Sequence, residues 1–152
     1  MKLAEALILR ADHQKRIEQL RQRLVRNARV QEGENPAENP AELLEEFNRL
    51  TDELVTVIRR INKTNMQTNV EAGKTVADAI AERDVLRIRH NVYRELAQAA
   101  TVTQDRYTKS EVKFRSTVRV AELQRSADEF AKAHRDLDAQ IQAVNWEADL
   151  VE

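Results

Sequence analysis

The chain has 152 residues, about one domain's worth, and carries a net charge of −1. It is 34% charged and 41% hydrophobic, with two Gly, two Pro, 4% aromatic residues and no Cys. Those figures exclude a disulfide framework, a thiolate site and polyanion binding through bulk charge, and scarce Gly and Pro suit long helices.

The first predicted helix runs from about Leu3 to Val30. Glu5 interrupts what would be the apolar core of a signal peptide, and Arg10 and Asp12 follow at once. No segment approaches a transmembrane span, so a cytoplasmic protein without membrane contact is expected. The apolar stripe reads Leu3, Leu7, Ile17, Leu20, Leu24 and Ala28, interrupted by Arg10 and Gln14. Residues 1–30 carry eight Lys/Arg against three Asp/Glu, whereas residues 31–60 carry three against eight. A basic helix followed by an acidic one predicts an antiparallel pair that neutralises itself. The alternative makes Arg16, Arg21, Arg23, Arg26 and Arg29 a phosphate-contacting stripe for nucleic acid. No aromatic residue interleaves with them to stack bases, which disfavours that reading.

A linker is expected over 31–39, where Gly33 suits a left-handed position after a helix end. Asn39 as N-cap, Pro40 in the first turn and Glu42 three residues on open helix two, which runs to about Ile61. Its seam is Leu43, Phe47, Leu50, Leu54, Val57 and Ile61, spaced three and four apart. Residues 62–74 lose that period and are read as a polar loop rich in Asn and Thr. Loops carry binding residues disproportionately, so Asn62, Thr64 and Asn65 form a candidate interaction loop.

Thr75 with Asp78 caps helix three, over about 76–100. Val85, Leu86, Ile88, Val92, Tyr93, Leu96 and Ala99 spread over a broad arc, which implies contact with two neighbours. Over 111–120, Val112, Phe114, Ser116, Val118 and Val120 alternate with polar residues, a half-buried strand pattern whose candidate partners are 102–107 and the stretch around 61–66; an extended linker would show the same alternation. Helix four, about 120–146, carries the longest seam: Val120, Leu123, Ala127, Phe130, His134, Leu137, Ile141 and Val144, with Ala148 continuing the spacing. His134 stands where an apolar residue belongs. If helices one and four pair centre to centre, it meets His13 and Gln14 in a polar core layer that fixes register.

Enzymatic motifs fail on inspection. Gly73-Lys74-Thr75 suggests a phosphate-binding loop, but Thr68 stands where the first glycine is required. The three histidines lack the helical Glu spacing of di-iron bundles, and no HExxH occurs, so neither metal nor cofactor is expected.

Ile61-Asn62-Lys63-Thr64-Asn65, Glu82-Arg83-Asp84, Tyr107 with Ser110-Glu111-Val112-Lys113-Phe114, and Ile141-Gln142 with Asn145-Trp146 resemble the septicolysin-like family of small bacterial proteins. The resemblance runs nearly the whole length. Its name implies a membrane-active, lytic protein; it supplies no catalytic residues to carry over.

The residues together predict a mostly α, single-domain chain: an elongated antiparallel coiled-coil or helical bundle of about four helices, with a small β element at 111–120. The function expected is non-enzymatic, that of a structural or protein–protein interaction module that self-associates as a homo-oligomer. The alternatives are a nucleic-acid-binding helical hairpin and a lysin.

Overall fold

The computed structural model describes residues 1–102 and 112–152. Among these residues lie four helices, α1 (Leu3–Arg26), α2 (Pro40–Gln67), α3 (Val76–Ala100) and α4 (Val120–Glu147), with a two-stranded antiparallel sheet of β1 (Asn69–Glu71) and β2 (Lys74–Thr75) between α2 and α3 in the chain. The mostly helical class and the helix count agree with the sequence. The chain divides into two compact units, one of Met1–Val76 with Gln142–Glu152 and one of Ala77–Ile141.

In the first unit α1 and α2 run antiparallel along two apolar clusters. Leu3 and Ala6 pack with Val57, Ile61 and Leu150, while Leu20 packs with Leu43 and Leu50. All but Leu150, which follows α4, are seam positions of a 3.6-residue period, which is why these two helices adhere lengthwise. The charge asymmetry is used across the pair. Arg16 reaches Glu46 at 3.2 Å, His13 meets Glu53 at 3.2 Å, and Arg23 grips Glu38.

Helix one ends at Arg26, earlier than the expected Val30. Asn27 explains the stop: its Nδ2 donates to the Arg23 carbonyl at 2.9 Å and its Oδ1 accepts from the Glu38 amide at 3.1 Å. The side chain thus closes the helix and holds the returning linker. Gly33 does take a left-handed φ of 88°, but within the linker rather than at the helix end. Asn39 caps α2 as read, its Oδ1 accepting from the Ala41 amide at 3.0 Å, with Pro40 in the first turn.

The polar loop expected over 62–74 is a correction in two parts. Residues 62–67 are the last turns of α2, and 69–75 form the hairpin. Thr64 extends the Val57–Ile61 seam by one more step and is fully buried. Its hydroxyl donates to the Arg60 carbonyl at 2.8 Å and accepts from the Val151 amide at 3.0 Å. A polar residue therefore continues an apolar stripe because its hydrogen bonds are met inside the core. Gly73, with φ 80°, makes the turn between β1 and β2, where Asn69 faces Thr75 and Glu71 faces Lys74.

The small β element is present but sits at 69–75, not at 111–120. Glu111 and the candidate partner segment beyond Val102 lie outside the described residues. Residues 112–119 form no strand. Val112 and Phe114 are 68% and 79% exposed, so the alternation marks no buried face. Ser116 instead turns the chain into α4, its Oγ donating to the Val118 carbonyl at 2.6 Å.

In the second unit α3 and α4 run antiparallel. Arg83 pairs with Asp138 at 2.8 Å, and the Tyr93 and Phe130 rings meet edge to face at 5.1 Å. The His90 Nδ1 lies 2.9 Å from the Ala127 carbonyl. On α3 the positions 79, 83, 86, 90, 93 and 97 alternate steps of four and three, a heptad seam. Ala79 and Ala97 within it are buried, as are Ala127, Leu137 and Ile141 of α4.

Candidate functional site

The broad apolar arc of α3 resolves into two faces. Leu86 and Tyr93 belong to the seam that meets α4. Val85, Ile88, Val92 and Leu96 lie on the opposite side and remain 45%, 60%, 55% and 43% exposed. Single exposed apolar residues are ordinary, but four at steps of three and four make a continuous stripe along one helix face. Of the two neighbours that the broad arc implies, α4 covers one face, and the stripe is left exposed among the described residues.

A second feature lies on the α4 side of the same helix. Arg87 and His90 from α3, with Ala131, His134 and Arg135 from α4, line a cleft of about 210 Å³. The 2.9 Å contact to the Ala127 carbonyl requires the His90 proton on Nδ1, since a carbonyl only accepts. Arg89 is drawn elsewhere, its guanidinium 5.9 Å above the Phe130 ring.

The sequence-derived candidates distribute as follows. Thr64 is a core residue, while Asn62 is exposed on the last turns of α2 and Asn65 half-buried there. The structure thus does not gather Asn62, Thr64 and Asn65 into a loop. The proposed polar layer is divided between units: His13 and Gln14 lie in the first and His134 in the second. His13 takes Glu53 as its partner, and His134 shares its cleft with His90. Of the arginine stripe, Arg16 is engaged with Glu46 of α2, Arg23 with Glu38 of the linker and Arg21 with Glu18 at 2.6 Å. Arg26 and Arg29 stay exposed. Glu18 is pulled down to about 2, first by its hydrogen bond from Arg21 and then by that from Gln22. The Arg23 guanidinium likewise holds the Glu38 carboxyl below its ordinary range.

Sequence reasoning missed Arg87 and Arg135. The available signal was positional, since each stands beside a histidine at a seam position, Arg87 one turn before His90 and Arg135 next to His134. Among the described residues no group of three or more His, Asp or Glu converges as a metal site. Among the same residues no helix is long and apolar enough to cross a membrane.

Residues 10–150 match the family of unknown function DUF6847, and the chain belongs to that family. It is also similar to a solved structure, that of a functionally unknown conserved protein from Corynebacterium diphtheriae. The identity is 44%, the alignment covers 99% of each chain, and the TM-score is 0.94. No curated protein matches.

Proposed function

We propose that the protein is a non-enzymatic helical structural or interaction module that self-associates through the free face of α3. The observation that carries this reading is the stripe Val85, Ile88, Val92 and Leu96, exposed at heptad-like spacing on a helix whose other face is occupied. A second copy fits the stripe because the stripe is nearly palindromic about the middle of the helix. Laid antiparallel on a two-fold axis, Ile88 opposes the partner's Val92 and Val85 opposes the partner's Leu96.

Magnitudes decide the strength of such a pair. Covering the exposed half of eight aliphatic side chains is worth on the order of 1 kcal/mol each. Association itself costs about 4–15 kcal/mol in lost freedom. The two are comparable, so the dimer is concentration-dependent rather than obligate. Sedimentation equilibrium over a range of protein concentrations tests it, with a mass rising towards twice 17.6 kDa expected. The double variant Ile88→Lys, Val92→Lys should stay monomeric at every concentration with unchanged helicity. A wild-type protein that remains monomeric at the highest concentration overturns the reading.

A further inference from the structure

We propose that the cleft between α3 and α4 binds a phosphate-sized oxyanion, either inorganic phosphate or the phosphate end of a small phosphomonoester. Of the five residues lining it, four carry nitrogen donors or chargeable nitrogen, and none is a carboxylate. Ala131, the fifth, has a side chain small enough to leave the space open.

The neighbouring acids Asp138 and Asp84 are both paired with arginine, and Asp84 is shared between Arg83 and Arg87. Asp138 is held by Arg83 at 2.8 Å, and Asp84 stands 3.4 Å from Arg83 and 3.7 Å from Arg87. The last distance is beyond hydrogen-bond length, so Arg87 keeps its donors. Arg135 and His134 have no hydrogen-bond or ion-pair partner among the described residues. His90 spends Nδ1 on the Ala127 carbonyl and retains Nε2.

Packing makes the arrangement more pointed. His90 and His134 occupy seam positions of facing helices, where Leu or Ile would bury more apolar area. Two arginines flank them, and of these only Arg87 has a carboxylate beside it, Asp84 at 3.7 Å. The two guanidinium charges of Arg87 and Arg135 repel one another across the cleft, and an anion between them relieves that repulsion. Guanidinium forks match phosphate oxygens in pairs, and imidazole adds single donors: one from the His134 ring, and one from His90 Nε2 when that ring carries both protons. At about 210 Å³ the cleft is smaller than the ~300–1,000 Å³ of sites that enclose whole drug-sized ligands, so it takes one oxyanion group.

This site lies on the other side of α3 from the apolar stripe, and its test is independent of self-association. The histidine ring signals of the full chain are followed by NMR at constant pH while sodium phosphate replaces sodium chloride at fixed ionic strength. The His90 and His134 signals should move saturably. His13, paired with Glu53 in the other unit, serves as the internal reference and should stay in place. Arg87→Gln with Arg135→Gln, both at exposed positions, should keep the helicity and weaken binding by at least about tenfold. Glycerol phosphate binding more tightly than phosphate assigns the site to a phosphomonoester, and equal or weaker binding assigns it to the free ion. Absence of saturation, parallel movement of all three histidines, the same response to chloride alone, or full binding by the double variant would each overturn the proposal.

Discussion

Thr64 shows how a single polar residue can be indispensable without touching a ligand. It is fully buried, and its hydroxyl serves α2 and the C-terminal segment at once. Thr64→Val keeps the shape but strands the Val151 amide, and should cost about 1–3 kcal/mol by urea denaturation. Asn62→Ala, at an exposed position of the same turn, should be near neutral. The surface carboxylates give a second test at this scale. Glu18 sits at about 2, and Glu38 and Asp149 are drawn below their ordinary values by Arg23 and Lys2 respectively. A carboxyl with a depressed folded value stabilises the fold above its unfolded value, 4.5 for Glu and 3.8 for Asp, and loses that contribution as pH falls through the folded value. The melting temperature should therefore keep falling between about pH 4.5 and about pH 2, by a modest amount because every one of these groups is solvated. Glu38→Gln should flatten part of that slope, and high salt should reduce it.

Helix ends were the most legible parts of the sequence where a side chain supplied the missing partner, and the least legible where the fold did. Asn39 with Pro40 announces the start of α2 because the cap is made within three residues. Asn39→Ala should lower stability by about 0.5–2 kcal/mol, read by chemical denaturation. The end of α1 is closed by Asn27 through a local bond to the Arg23 carbonyl and a second from the Glu38 amide, eleven positions away, and no local pattern contains the second. The end of α2 was obscured for the opposite reason. Asn and Thr favour turns in isolation, and only the Val151 amide, 87 positions away, makes Thr64 a good core residue. The false strand over 112–120 repeats the lesson, since alternation predicts a strand only where a sheet is present to bury one face.

At the level of the molecule, the seams were readable and their partners were not. Leu43, Leu50, Val57 and Ile61 are buried as the period requires, because spacing sets which residues share a face and α1 packs against that face. Which seam meets which is decided by charge and side-chain size along the whole length. The opposite charges of α1 and α2 identified one pair correctly. His134 carried no such label, and its cleft brings it His90 of α3 as a neighbour. The free face of α3 was visible as an overly broad arc, although its exposure was not. If that face binds a second copy, mass action links folding to concentration. The wild-type melting temperature should rise as the protein is concentrated, and that of the Ile88→Lys, Val92→Lys variant should not.

The two ends of the chain are stitched together. The Leu3 amide donates to the Ala148 carbonyl at 3.0 Å, the Leu150 amide donates to the Met1 carbonyl at 2.9 Å, and the Lys2 and Asp149 side chains pair at 2.8 Å. The Lys2 ammonium also reaches the Glu147 carbonyl, 145 positions along the chain. Contacts of such sequence separation are reached late in folding, after the α1–α2 hairpin has closed its much shorter loop. The clasp thus acts as a latch on the way out rather than a guide on the way in. Deleting residues 148–152 should speed unfolding severalfold in stopped-flow experiments while leaving the refolding rate almost unchanged.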